Sequence, residues 1–366
     1  MSRSFDCVIP PRSGTTRVFV ERNCAASLVE VLDRHADHRL VVISDTTVAG
    51  LHHERLFGSL AGIGVPLLLT FPPGEASKTR TTLSRLQDEM LHAGCGRDTL
   101  VVGHGGGVVT DLAGFLASTY YRGLPLILVP TSLLGMVDAS LGGKNGVDVP
   151  EGKNLLGTFH HPEAVLVGTD HLDTLQDELF REGMAEVVKI AAALDRALFE
   201  FLEAHVSSLS RREAESITEV VERSLRLKAE VVANDPFERG YREVLNLGHT
   251  VGHALEAREA YRQGHGAAVS RGLVCEAVLA RNAGHLGQSE VRRLRSLLQG
   301  FGLPTALPTG TAEDLLGPMR ADKKARGRTP RFVLLTGIGS VLHVEGHWAH
   351  PIGETDLLNA LEECVP

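Results

Sequence analysis

The stretch Thr99-Leu100-Val101-Val102-Gly103-His104-Gly105-Gly106-Gly107-Val108-Val109-Thr110-Asp111 decides how the first half of this chain is read. Thr99 to Val102 reads as a strand, and a helix is expected to start near Thr110 or Asp111. Between them lie His104 and three glycines, Gly105, Gly106 and Gly107. Glycines let a backbone turn tightly and approach a phosphate, and the free N–H groups and positive dipole of the next helix hold the anion. A tight structural turn is the bland alternative; the position after a strand and before a helix favours phosphate.

Outward from that turn, short aliphatic runs recur at Leu40–Ser44, Leu67–Phe71 and Leu126–Val129. Ser77–Ala93 carries Leu83, Leu86, Met90 and Leu91 at helical spacing. Strands alternating with helices predict a Rossmann-like parallel sheet. Asp45 closes one of these strands, where a carboxylate can accept from a ribose diol and repel a 2′-phosphate, favouring NAD over NADP. It can equally cap a helix beginning at Thr46. The usual fingerprint places the glycines first and the acid about 20 residues later, so a standard Rossmann dehydrogenase is a poor match.

Beyond about residue 175 the pattern becomes helical, with segments at Glu182–His205, Arg211–Ala233, Val244–Ala257, Gly266–Ala283 and Gln288–Gly300 and a β-like run at Arg331–Leu335. The expected organisation is a Rossmann-like α/β domain over 1–175 and an α-helical metal- and substrate-binding domain over 176–366. The polar run from Pro130 to His161 places Asp138, Lys144, Lys153 and Asn154 among glycines and apolar residues. Lysines in such a loop suit an anionic ligand; a solvated surface loop is the alternative. Glu186 and Lys189 share a helix face in an apolar, small-residue context, and buried charges need a partner or a metal. Asn246, His249 and His253 are expected on one face of a helix, with His265 following inside a glycine pair. Two histidines a turn apart can hold zinc, but spacing does not choose among His249, His253 and His265.

The 366-residue chain carries a formal charge of −8 and a pI near 6.1, which argues against nucleic-acid or membrane-surface binding. Its five cysteines are scattered, without a CxxC, as in a reducing compartment. MSRSFDCVIPPRS lacks a signal-peptide apolar run, and Leu124–Val137 is broken by Pro125, Pro130 and Gly135. A cytoplasmic protein is expected.

Six motifs together, PGEASK at 73–78, GGGVVTDLAGF at 105–115, the Pro130–Asn154 run, REGMAEVVK at 181–189, LNLGHTVGHALE at 245–256 and Asp322-Lys323-Lys324, resemble the 3-dehydroquinate synthases, within the sugar phosphate cyclase superfamily. The likeness runs from Val41 to about Gly339. It implies a divalent metal, zinc or cobalt, on Glu186, His249 and His265. It implies NAD held through Asp45, Glu75, Lys78, Gly105, Gly106, Gly107, Asp111, Thr131 and Ser132. Catalytic roles would fall to Asp138, Lys144, Lys189, Lys228, Asn246 and His253. Substrate-binding roles would fall to Lys153, Asn154, Arg242 and one of Lys323 or Lys324. Arg122 matches an arginine that reaches the neighbouring subunit's phosphate site, so a homodimer is implied. The implied reaction converts 3-deoxy-D-arabino-heptulosonate 7-phosphate to 3-dehydroquinate and phosphate in the shikimate route to aromatic amino acids, through transient NAD-dependent oxidation, elimination, re-reduction and aldol closure. Asn145 stands where threonine is usual, and His104 and Thr110 depart from the pattern flanking the glycines. A paralogous cyclase acting on an amino analogue or sedoheptulose 7-phosphate is therefore the nearest rival. A metal-dependent NAD polyol dehydrogenase is the rival from another class.

Overall fold

The computed structural model describes residues 15–58, 65–259, 264–310, 312–321 and 329–366. Six parallel strands form the sheet: β1 (Arg17–Glu21), β2 (Arg39–Asp45), β3 (Leu67–Phe71), β4 (Thr99–Gly105), β5 (Leu126–Pro130) and β8 (Ala164–Gly168). Their order is β1-β8-β5-β4-β2-β3. β4, β5 and β8 are buried at every residue, and so is β2 after Arg39. That is why these strands read as unbroken aliphatic runs rather than as alternation: a parallel sheet is covered on both faces. β1 and β8, both missed in the sequence, pair in register from Arg17↔Ala164 to Glu21↔Gly168.

The topology fixes where a ligand can enter. From β2 the chain moves outward to β3, returns past β2 to β4, and continues the other way to β5. The reversal leaves a crevice at the carboxyl ends of β2 and β4, the place where open α/β sheets bind ligands. Asp45 ends one strand and Gly105 the other, and Ser44 pairs with His104 across them.

Three short or medium helices lie between the first strands: α1 (Ala25–Asp33), α2 (Thr46–Val48) and α3 (Glu54–Phe57), the last two separated by a π-helical turn. α4 (Arg80–His92) and α5 (Gly107–Thr119) follow β3 and β4. α4 starts later than the sequence suggested, because Thr79 accepts from Thr82 N at 3.1 Å and caps it after a 3-10 turn at Glu75–Ser77. The run expected to be a polar loop contains a π-helical turn, Gly135–Ala139, and an antiparallel hairpin, β6 (Lys144–Val149) with β7 (Gly152–Phe159).

The rest is largely helical: α6 (Asp177–Leu194), α7 (Arg196–Ser210), α8 (Ala214–Asn234), α9 (His249–Arg258), α10 (His265–Asn282), α11 (Gln288–Gly300), α12 (Leu316–Ala321) and α13 (Glu354–Glu363). Their apolar faces share one large core with the π-helical turn. Short strands pair within 331–351. The single helix expected over Glu182–His205 is two: Asp195 takes an extended backbone and its carboxylate accepts from Ala197 N and Leu198 N, at 2.8 and 3.0 Å, to cap α7. No helix among the described residues is long and apolar enough to cross a membrane.

The helix expected over Val244–Ala257 is also interrupted. Tyr241–Asn246 is a 3-10 turn, and Gly248 is left-handed at φ 78° before α9 begins at His249. Asn246 therefore does not share a helical face with His249 and His253. A side chain at Gly248 would meet Leu273 at 2.8 Å, so the break requires glycine twice over, for φ and for space.

Candidate active site

A cleft of about 1160 Å³ opens at the crevice and runs from Asp45 to His265. Asp45, Glu75, Lys78, Gly106, Gly107, Asp111, Thr131 and Ser132 line it, and Gly105 ends the strand beneath. Gly106 is the N-cap of α5 and offers no side-chain cap. A Cβ there would sit 3.2 Å from Ser132 Oγ, and one at Gly105 would sit 2.4 Å from Val109, so the turn keeps its backbone bare and close-packed. Both readings of Asp45 meet in one residue: its Oδ1 accepts from Thr47 N and Val48 N, each at 2.9 Å, and it also lines the cleft. These features fit a dinucleotide: bare N–H groups at a helix start, and an acid at the neighbouring strand end.

Lys78 is buried, pairs with Asp111 at 2.5 Å and donates to Asn154 Oδ1 at 2.6 Å. Asn154 sits at φ 55° and its N–H donates to Asp148 at 2.9 Å. The next lysine, Lys153, reaches Glu256 at 3.3 Å and Glu75 at 3.8 Å.

At the far end stands a three-residue cluster. Glu186, fully buried on α6, places Oε1 3.2 Å from His265 Nε2 and 3.6 Å from His249 Nε2. Candidate ligand atoms of the three residues lie within 4.8 Å of one another, the one such cluster among the described residues. Each imidazole is held from behind: His249 Nδ1 faces Leu247 O at 3.1 Å, and His265 Nδ1 faces Glu256 at 3.5 Å. This leaves both Nε2 atoms for the front. Two nitrogens and a carboxylate oxygen, with outer partners fixing the tautomers, suit a catalytic zinc with an open position. His253, whose ring lies 5.2 Å from that of His249, lines the cleft and is outside the cluster.

Behind the metal set lies a dense group of charges. Lys189, 1% exposed, contacts Glu186 Oε2. Burial alone would raise the Glu186 carboxyl, but Lys189 and His265 hold it far below the usual range. Burial would lower the His265 imidazole, but Glu186 and Glu256 hold it up at about 10. Lys228 contacts both the carboxylate and the carbonyl of Asp138. Burial pushes Lys228 down to about 8 against the pull of Asp138, with Arg242 and Lys189 adding repulsion. Arg242, 3% exposed, donates to Gly142 O at 3.0 Å and Pro236 O at 2.9 Å.

Glu238 was not singled out in the sequence. It contacts Lys144 and accepts from Asn246 Nδ2 at 3.1 Å, so a carboxylate of the chain already sits between two groups expected to meet an anionic substrate. Its backbone is left-handed at φ 55°, in an irregular segment that no periodicity marks. Glu256, also missed, lies three residues after His253 on α9. Arg122 is not in the cleft: it is exposed, on a left-handed run Tyr121–Gly123 with φ of 48, 68 and 123°. Lys323 and Lys324 lie outside the described residues. Cys24, Cys95, Cys275 and Cys364 are free and buried, and Cys7 lies outside the described residues.

Residues 68–182 match the model of the 3-dehydroquinate synthase N-terminal region, and residues 183–325 that of its C-terminal region. The chain belongs to the 3-dehydroquinate synthase family. It is 45% identical over 305 residues to a 3-dehydroquinate synthase of Acidithiobacillus ferrooxidans, covering 83% of this chain and 84% of that one. To a 3-dehydroquinate synthase of Nitrosospira multiformis it is 43% identical over 340 residues, covering 92% and 91%. Among solved structures it superimposes on a 2-epi-5-epi-valiolone synthase from Streptomyces hygroscopicus with NAD+ and Zn2+ bound, at TM-score 0.89 and 29% identity over 98% of this chain and 99% of that one. A 2-deoxy-scyllo-inosose synthase with carbaglucose-6-phosphate, NAD+ and Co2+ gives TM-score 0.85 at 26% identity, covering 97% of this chain and 98% of that one. A butanol dehydrogenase from Thermotoga maritima, at TM-score 0.68 and 12% identity over 99% of each chain, shares the fold alone. Membership settles the fold class expected from the sequence, a parallel-sheet half followed by a helical half, as that of the sugar phosphate cyclases.

Proposed function

We propose that this chain is a 3-dehydroquinate synthase: an NAD- and metal-dependent lyase that converts 3-deoxy-D-arabino-heptulosonate 7-phosphate to 3-dehydroquinate and phosphate. One observation carries the reading. The cluster Glu186–His249–His265 reaches the cleft of the glycine turn through His265, which lines it, so a metal-bound substrate and a dinucleotide can share it. A bound dinucleotide would supply a reversible hydride sink, and a zinc or cobalt ion Lewis acidity toward substrate hydroxyls.

The protein's own part is positioning. Lys189 keeps Glu186 ionised and lends an ammonium to the reacting end. Lys144, Asn246 and Arg242 form an anion-binding wall for a substrate carboxylate or phosphate, and Glu238 supports this, since its carboxylate contacts Lys144 and accepts from Asn246. Lys228 and Asp138 hold each other beside that wall, while Lys153 and Asn154 close the cleft from the hairpin. His253 faces the cleft, in reach of substrate. The phosphate that leaves is itself a base and can take the proton of the elimination, so no dedicated protein base is needed.

The 45% identity to 3-dehydroquinate synthases against 29% to the valiolone synthase favours this substrate over those of paralogous cyclases. The wall's Lys144 and Arg242, with Lys153, Lys189 and Lys228 nearby, disfavour a polyol dehydrogenase, which has no phosphate to hold. A homodimer fits the exposed Arg122, which this chain's own cleft does not use. A cytoplasmic location and a place in aromatic amino-acid synthesis follow from the same reading. The test is incubation with the heptulosonate phosphate, NAD and zinc. Phosphate and a carbocyclic product in equal amounts, without net NADH, are expected. Turnover only with sedoheptulose 7-phosphate or an amino analogue would move the chain to a paralogue, and net NADH from polyols to the dehydrogenases.

A further inference from the structure

The loop-to-helix junction that presents His249 is held by a residue no comparison points to. Glu276, on α10, is fully buried. Its Oε2 accepts from Gly248 N at 2.8 Å and its Oε1 from Thr250 N at 3.2 Å. These are the backbone donors on either side of His249. Gly248 is the N-cap of α9 and can offer no side chain to that helix start, so the carboxylate comes from another helix. A carboxylate there is favoured by the charge-assisted bonds and by the positive end of the helix dipole.

The same helix carries a second ligand. α10 begins at His265 and reaches Glu276 three turns later. Between them, Gly272 lets α10 press against the junction: a Cβ there would lie 1.9 Å from Gly248 O. Glu276 thus ties the backbone around one ligand to the helix that bears another. Burying a carboxylate in a core costs several kcal/mol before its bonds are counted, and the usual Ser or Asp cap is closed to this junction because Gly248 is required for φ and for space. The carboxylate that replaces it comes from the helix that bears the other ligand, so the cap is at the same time a clasp between two ligand-bearing helices.

We propose that Glu276 is a positioning residue of the metal centre, acting through His249 by fixing the spacing of His249 and His265. The proposal rests on the metal reading of the Glu186–His249–His265 cluster. Glu276→Gln keeps the shape but turns an amide donor toward one of the two N–H groups. Zinc affinity, measured by chelator competition, is expected to fall about 10- to 100-fold, the usual cost of losing an outer-shell partner. The visible absorption of the cobalt-loaded protein should change with it, while NAD affinity in the metal-free state stays that of the wild type.

Leu294→Ala, in the apolar core on α11, is the control for destabilisation alone. If Glu276→Gln lowers Tm as that control does but keeps the wild-type cobalt spectrum and zinc affinity, Glu276 is a structural cap and the proposal is overturned. Should Glu276→Gln not fold, Glu276→Asp, which keeps the charge but shortens its reach, is read the same way. Failure of the underlying metal reading looks different: the wild type would then bind zinc no better than Glu186→Gln does.

Discussion

In Lys189→Met the ammonium that contacts Oε2 of Glu186 is removed, while Oε1, the oxygen facing both imidazoles, is untouched. Both residues of the pair are essentially out of solvent, at 1% and 0% exposed. Removing one member of a buried pair costs about 3–5 kcal/mol, and a unit pair 4 Å apart at an effective dielectric of 20 is worth about 4 kcal/mol. His265 remains as a second cation beside Glu186, so the lower figure applies to the metal-free protein. At about 2 °C per kcal/mol, 3 kcal/mol is a Tm drop of about 6 °C. The zinc-loaded protein behaves otherwise: the ion itself compensates Glu186, and the ammonium that repelled it is gone. Its Tm should fall by less than half as much, so the rise in Tm on adding zinc grows in the variant although turnover is lost. Scanning calorimetry on chelated and zinc-loaded samples of both proteins measures this directly. A zinc-induced rise in Lys189→Met equal to or smaller than the wild-type rise refutes the idea that lysine and metal share one carboxylate.

Three further outcomes test other parts of the site. Asp45→Asn keeps a good helix cap, so stability should hold while NAD affinity drops, whereas Asp45→Ala should lose about 1 kcal/mol of stability as well; equal NAD affinity in wild type and Asp45→Asn would leave Asp45 only the capping role. With Lys228 at about 8, kcat/KM should decline about tenfold per pH unit above that value, and a profile flat to high pH would remove the ammonium from the mechanism. The folded pKa lies below the unfolded one, so the unfolded chain binds more protons between about 8 and the ordinary lysine range, and this group's share of stability rises with pH there; loss of activity is thus distinguishable from unfolding. Arg122→Ala and Lys189→Met, each inactive alone, should regain activity after co-refolding if Arg122 serves the partner's site, and no recovery would return Arg122 to its own subunit.

How much of this was readable in advance follows from where the physics is local. The glycine turn was legible because strand, bare backbone and helix start are contiguous in the chain. Four strands were legible as aliphatic runs: the interior β2, β4 and β5, which a doubly covered sheet writes that way, and the edge strand β3; β1, also at an edge, failed because its Arg17-Val18-Phe19-Val20-Glu21 lacks that signature, and β8 was missed although every residue of it is buried. The helical half was drawn with the right periodicity but the wrong punctuation. Asp195 and Gly248 each stop a helix through backbone dihedrals, and apolar spacing continues across both.

That second break matters for function. Spacing alone suggested that Asn246, His249 and His253 formed one array. The left-handed glycine instead sets Asn246 against Glu238 and leaves His249 to meet Glu186 and His265. The residues that sequence reasoning missed, Glu238, Glu256 and Glu276, are all acids that neutralise or orient a residue picked for chemistry. A candidate ligand can be flagged by its own type and spacing, though the choice among His249, His253 and His265 came only with the family resemblance. Its partner is chosen by the fold, from helices and loops whose separation in the chain carries no trace of the contact.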